Sequence, residues 1–149
     1  MRVEEVMTKD PACCGPDTSL RDVARMMVDC DCGEIPVIDT QSRRPIGVIT
    51  DRDIVCRTIA EGRNPFDLSA RDCMTTDVVA ISFDKNVNDC CELMERHQIR
   101  RIPVVDARGA CCGIVSQADI ARRVSERAVG EVVRDVSKPG GATARGAGA

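Results

Sequence analysis

The sequence repeats itself, and no other feature restricts its fold as much. At an offset of 67 residues, Glu34-Ile35-Pro36-Val37-Ile38-Asp39 lies over Arg101-Ile102-Pro103-Val104-Val105-Asp106, and Met7-Thr8 lies over Met74-Thr75. One residue is lost between the last two strands. At an offset of 66, Gly47-Val48-Ile49-Thr50-Asp51-Arg52-Asp53-Ile54 therefore lies over Gly113-Ile114-Val115-Ser116-Gln117-Ala118-Asp119-Ile120. Two matching blocks in the same order identify a tandem duplication, so the architecture must be one that can be built twice.

Within each copy the apolar period changes from helical to extended. Leu20, Val23, Ala24, Met27 and Val28 recur at helical spacing, as do Val87, Cys90, Cys91 and Met94, and each set predicts an amphipathic helix. Asp17, Thr18 and Ser19 are N-cap candidates for the first helix, Asp84 and Asn86 for the second. Ile35 to Ile38 and Ile46 to Ile49 flank a turn at Gln41 to Arg44, while Ile102 to Val105 and Cys112 to Val115 flank one at Ala107 to Gly109. Both patterns read as hairpins. A short strand (Ala12 to Cys14; Val78 to Ile81) precedes each amphipathic helix, and a second helix starts after Thr50 or Ser116.

The predicted fold is α/β (α+β), with two β-α-β-β-α repeats. A unit of roughly 60 residues has little core of its own, so the two are expected to pack sheet to sheet with pseudo-two-fold symmetry. Residues 1–60 form repeat 1 and residues 70–126 repeat 2. The linker is 61–69, which holds Gly62, Asn64 and Pro65. Residues 127–149 are expected to extend the last helix and then run into a disordered Gly/Ala-rich tail.

Composition excludes several function classes. With 21 Lys and Arg against 24 Asp and Glu, the formal charge of -3 gives no general attraction to nucleic acid or an anionic membrane. The lack of Trp and Tyr, with only two Phe, removes the platforms on which unpaired bases stack. No apolar run approaches the ~18 residues of a membrane span, and Arg2 to Asp10 is too polar for a secretory core, so a cytoplasmic protein is expected. No nucleophile–base pair, Gly-rich phosphate loop or metal-ligand cluster is visible, and no enzyme activity is expected.

The chemistry with most meaning lies in Thr50-x-x-Asp53 and Ser116-x-x-Asp119, each at a strand-to-helix junction. An ionised Asp accepts hydrogen bonds from both hydroxyls of a vicinal diol, so this pair suits a ribose, while the adjacent hydroxyl and helix N-terminus offer donors to a phosphate. The same spacing is a helix capping box, and one site can serve both roles. The copies differ in charge: Arg100 and Arg101 precede Ile102 where Gly33 and Glu34 precede Ile35. A guanidinium pair favours a bidentate phosphate, whereas Glu34 repels one. Solvated strand-edge charges are the alternative reading. His97, the only histidine, is a further phosphate candidate or a helix-end residue interacting with carbonyl groups. For a flat apolar base the candidates are Val78, Val79, Ile35, Pro36, Ile102 and Pro103.

These motifs resemble a known family. The Val-x-x-Val-Met-Thr lead-in, the Ile-Pro-Val-x-Asp strand, and Gly with two aliphatics, Thr or Ser, two variable residues and Asp are similar to the cystathionine β-synthase (CBS) domain. Here it occurs as a tandem pair, or Bateman module, over about residues 1 to 126. Thr50-Asp51-Arg52-Asp53-Ile54-Val55 and Glu95 to Val104 resemble small stand-alone bacterial CBS-pair proteins of the hypoxic response type. The resemblance implies a regulatory module without catalytic activity that binds an adenosine-containing ligand between its repeats: AMP foremost, with ADP, ATP or NAD as further candidates. It implies that Ser116 and Asp119, with Thr50 and Asp53, meet the ribose and that Arg101 reaches the phosphate. It also implies a homodimer, a disc of four repeats, acting on an unidentified protein partner, with no required cofactor.

The ten cysteines support an alternative, a dimerisation or thiol- or metal-responsive redox module whose ligand cleft is vestigial. Cys30-x-Cys32 is its best metal candidate, though no second pair or spaced histidine accompanies it. The repeat itself favours packing: Cys13, Cys14, Cys32, Cys73, Cys90, Cys91, Cys111 and Cys112 all align with apolar residues of the other copy. Cys30 and Cys56 align with His97 and Arg122 and are expected to be the exposed thiols.

Overall fold

The structure, a computed structural model, describes residues 1–123 with Arg134 and Val136; the expected helix extension and tail otherwise lie outside the described residues. In chain order the elements are α1 (Val3–Val6), β1 (Thr8–Lys9), α2 (Leu20–Cys30), β2 (Glu34–Ile38), β3 (Pro45–Thr50) and α3 (Asp51–Arg57). Two single 3-10 turns, Ile59–Glu61 and Pro65–Asp67, follow. The second copy continues with α4 (Ala70–Cys73), β4 (Ile81–Ser82), α5 (Val87–His97), β5 (Arg101–Val105), β6 (Cys111–Ser116) and α6 (Gln117–Arg123). Mixed helices and strands appear twice, as the repeat requires.

The compact units do not follow the repeat boundaries. One is Ala12–Val78; the other joins Met1–Pro11 to the described residues from Val79 onward. Each unit thus takes its lead-in from the other copy. In the split unit a four-stranded sheet runs β1-β6-β5-β4, antiparallel at β1/β6 and β5/β6 and parallel at β4/β5. The Ala12–Val78 unit has the same order with its edges worn down: the β2/β3 hairpin is flanked by single bridges, Cys14 to Val37 and Thr75 to Val48. The strand expected at Ala12 to Cys14 is therefore one bridge. Gly15 and Pro16 turn the chain away directly after it. The strand expected at Val78 to Ile81 starts later, as β4.

Both motif glycines sit where the exchanged lead-in crosses the hairpin. A Cβ on Gly47 would stand 2.9 Å from the Met74 sulfur and 2.9 Å from the Thr75 carbonyl oxygen; one on Gly113 would stand 2.4 Å from the Met7 sulfur and 3.1 Å from the Thr8 carbonyl oxygen. Contacts below about 3 Å are forbidden to a methyl, so Met-Thr and Gly occur together for steric reasons. The same crossing explains a proline in mid-strand. Val48 gives its N–H to the Thr75 carbonyl (3.0 Å) and accepts from the Thr75 N–H (2.8 Å), so it asks nothing of Pro36, its partner across the ladder.

Each unit has its own core. Leu20, Val23, Met27, Ile35, Val37, Ile49, Ala70 and Cys73 fill one; Val3, Val6, Val87, Cys90, Met94, Ile102, Val104, Val115 and Ile120 fill the other. Burying one such aliphatic side chain contributes about 1.5–3 kcal/mol. The α2 stripe is narrower than its sequence spacing suggests: Leu20, Val23 and Met27 are buried, but Val28 is 68% exposed. Ser19 caps α2 by accepting from the Asp22 N–H (3.1 Å), and Asn86 caps α5 by accepting from the Asn88 N–H (2.8 Å). Ser69, expected in the linker, is the N-cap of α4, and the Leu68 carbonyl accepts from the Leu20 N–H, so the linker is built into the Ala12–Val78 unit.

Candidate functional site

The two hairpins carry different chemistry at one end. In β5/β6 the ladder sets Arg101 opposite Ser116; in β2/β3 it sets Glu34 opposite Thr50. Directly paired residues point to the same face, with Cβ atoms about 5 Å apart. Strand alternation then puts Pro103 and Ile114 on the face of Arg101 and Ser116, and turns Ile102 and Val115 into the core.

At the start of α6 the Ser116 N–H donates to Asp119 Oδ2 (2.8 Å) and the Asp119 N–H donates to Ser116 Oγ (3.1 Å). At α3 the Thr50 N–H donates to Asp53 Oδ2 (3.0 Å) and the Asp53 N–H to Thr50 Oγ1 (3.0 Å). Both sites are full capping boxes, so the capping role is realised twice. A carboxylate offers about four lone-pair positions, and one such bond leaves acceptor capacity for a diol. The difference lies in the neighbouring arginines. Asp119 is buried, its side chain 7% exposed, and its Oδ1 accepts from the Arg122 guanidinium. Asp53 is more open, and Arg57 Nε approaches only to 3.8 Å while its Nη1 donates to the Met74 carbonyl.

The remaining candidates divide by position. Thr50, Asp53, Ile35, Pro36 and Val78 fall in the Ala12–Val78 unit; Ser116, Asp119, Arg100, Arg101, Val79, Ile102 and Pro103 fall in the split unit. Ile35 and Ile102 are fully buried and serve their cores, which removes them from any surface that stacks on a base. Val78 and Val79 are half-buried and Pro36 and Pro103 are buried. Arg100 and Arg101 are half-buried, and the Arg100 carbonyl accepts from the Gln117 N–H (2.8 Å), tying the α6 start to β5. His97 is exposed at the C-terminal end of α5. The motif aspartates Asp39 and Asp106 organise the hairpin turns. Asp39 Oδ1 accepts from the Ser42 and Gln41 amides (2.8 and 2.9 Å), which hold its carboxyl below the usual range, and Asp106 Oδ1 accepts from the Arg108 and Ala110 amides.

The thiols follow the repeat. Cys30 and Cys56 are exposed; Cys14, Cys73, Cys90, Cys91 and Cys111 are buried and the other three are half-buried. Burial pushes the Cys14 thiol up to about 11 and that of Cys90 to about 12. Among the described residues no group of three or more His, Cys, Asp or Glu is placed to hold a metal ion, and no helix is long and apolar enough to cross a membrane.

Arg122 was missed by sequence reasoning. Its signal was present, an arginine three residues beyond the Asp of Ser-x-x-Asp, close enough on a helix to pair with it.

Comparison with known sequences agrees with the doubled motifs and the doubled hairpin. The sequence model of the CBS domain matches residues 3–57 and 70–126. The chain belongs to the CBS domain family. As a CBS pair it is 30% identical to Hypoxic response protein 1 of Mycobacterium tuberculosis over 135 residues, 91% of this chain and 93% of that protein. The crystal structure of that protein with two coordinated zinc ions matches with a TM-score of 0.76, covering 84% of this chain and all of the other. MK0525 of Methanopyrus kandleri is 35% identical over 79% of this chain, which spans only 60% of that protein's length. CBSX2 in complex with AMP is 27% identical, with a TM-score of 0.69 over 81% of this chain and 93% of the other.

Proposed function

We propose that this CBS pair is a regulatory module that binds an adenosine-containing ligand, AMP first, through the β5/β6–α6 site of the split unit. Asp119 and Ser116 take the ribose hydroxyls and Arg101, with Arg100 beside it, takes the phosphate. The observation that carries the reading is the pairing of Arg101 with Ser116 across the ladder, three residues before the buried Asp119. A guanidinium, a hydroxyl and a carboxylate are thereby gathered at one hairpin end. CBSX2, a relative whose structure holds AMP, supports the ligand class.

The Thr50/Asp53 site is the weaker of the two, because Glu34 stands where Arg101 stands in the other copy. For the base, the candidates are Val79 and Pro103 in the split unit and Val78 and Pro36 in the Ala12–Val78 unit, the half-buried valines being the more accessible of the four. Regulation requires that the ligand bind two arrangements of the protein with different affinity, and the arrangement it acts on is the packing of a homodimer or of a protein partner. No catalytic step is part of the reading. The buried thiols, held protonated by desolvation, give a redox mechanism little support.

Isothermal titration with AMP, ADP, ATP and NAD tests it. AMP is expected to bind the parent, and Asp119→Asn, which keeps the cap's shape but removes the charge, to weaken binding at least tenfold. A parent that binds no adenine nucleotide overturns the proposal.

A further inference from the structure

Asp119 is the carboxylate on which the nucleotide reading depends, yet both of its oxygens already have partners in this chain. Oδ2 accepts from the Ser116 amide, and Oδ1 accepts from Arg122. The second contact is unequal in exposure: Arg122 reaches in from a side chain that is 68% exposed to one that is 7% exposed. The first-copy equivalent of Arg122 is Cys56, a thiol in place of a guanidinium, and there Arg57 stands 3.8 Å from Asp53 with no hydrogen bond between them.

The helix has a tether that does not involve Arg122. Arg123, its neighbour, fastens α6 to the lead-in by donating to the Glu5 carbonyl (3.0 Å), just as Arg57 fastens α3 by donating to Met74. This division leaves Arg122 paired with the buried carboxylate, while Arg123 makes the tether. An arginine drawn from solvent to a buried carboxylate competes with a ribose hydroxyl for the same oxygen, because both bonds are charge-assisted but the guanidinium brings a full opposite charge where the hydroxyl brings only a dipole. A diol must displace or share that oxygen.

From this we infer that Arg122 is an internal competitor at the ribose carboxylate, an affinity-setting latch on the second-copy site that the first copy lacks. The inference rests on the nucleotide reading. Adenosine affinity is set below what Asp119 and Ser116 alone would give, and the latch acts only on ligands that carry the vicinal diol.

The test is calorimetric titration of the full chain with adenosine, 2′,3′-dideoxyadenosine and AMP, using the parent, Arg122→Ala and Arg122→Gln. Gln retains a neutral donor for Oδ1 and so guards against simple loss of folding, which is checked by thermal unfolding. Adenosine is expected to bind Arg122→Ala about tenfold more tightly than the parent, with Arg122→Gln between them and dideoxyadenosine unchanged. A variant that binds adenosine while the parent does not also supports the latch. If the parent binds AMP but adenosine affinity is the same or weaker in Arg122→Ala, the latch is overturned and the nucleotide reading stands. An equal gain for dideoxyadenosine also overturns it. If no nucleoside or nucleotide binds any of the three proteins, the nucleotide reading falls and the latch falls with it.

Discussion

Arg101 and Ser116 are direct partners across the β5/β6 ladder, and the residues in the same places of the other hairpin are Glu34 and Thr50. The two copies keep the hydroxyl and invert the charge beside it. Replacing Arg101 by Glu therefore makes the second site resemble the first electrostatically. AMP affinity is expected to fall at least tenfold, about 1.4 kcal/mol, with adenosine affinity changed less than about twofold. Titration at two salt concentrations checks this, since the parent's AMP binding should weaken more with salt than the variant's. Equal losses for both ligands would show that Arg101 does not face the phosphate.

The exchange of lead-ins makes a separable stability prediction. Gly113→Ala places a methyl 2.4 Å from the Met7 sulfur, and overpacking of this kind costs about 1–3 kcal/mol. Adding Met7→Ala should recover part of the loss, because the clash is with a side chain as well as with the Thr8 carbonyl. Adding Met74→Ala should only sum with it, since Met74 lies over Gly47. Urea unfolding of the single and double variants reads the coupling. Coupling to Met74 in place of Met7 would refute the exchange.

Thiol reactivity should divide as the burial does. Cys30 and Cys56 are expected to react with a disulfide reagent at neutral pH in the folded protein, and Cys14 and Cys90 only as fast as the protein opens. The raised thiols also set an alkaline limit. A group whose folded pKa lies above its unfolded value stabilises fully below the unfolded value, near 9 for a thiol, and loses that contribution as pH rises towards the folded one. Stability measured by urea unfolding should decline from about pH 9 towards pH 11 through Cys14, and on towards pH 12 through Cys90. Cys90→Ala should flatten the upper part of that decline; an unchanged profile would refute the assignment.

Much of this is legible in the sequence. The helix caps Ser19 and Asn86, the Asx turns at Asp39 and Asp106, and the capping boxes at Asp53 and Asp119 are all formed by residues within four positions of one another, so local sequence suffices to place them. The charge difference between Glu34 and Arg101 was equally plain, because the repeat aligns them. The roles of Ile35 and Ile102 are less legible there. They sit beside the prolines of the same motif, and only the strand ladder assigns alternate residues to the core and to the opposite face.

Local order along the chain, from periodicity, caps and turns, accounts for the two hairpins, the two amphipathic helices and the chemical unlikeness of their ends. It does not say which lead-in serves which hairpin. Met7-Thr8 and Met74-Thr75 are the same dipeptide and Gly47 and Gly113 the same acceptor, so short-range preferences are equal for the direct and the exchanged pairing. Long-range packing breaks that tie: Val3 and Val6 complete the core that holds Ile102 and Val115, while Ala70 and Cys73 complete the one that holds Ile35 and Ile49.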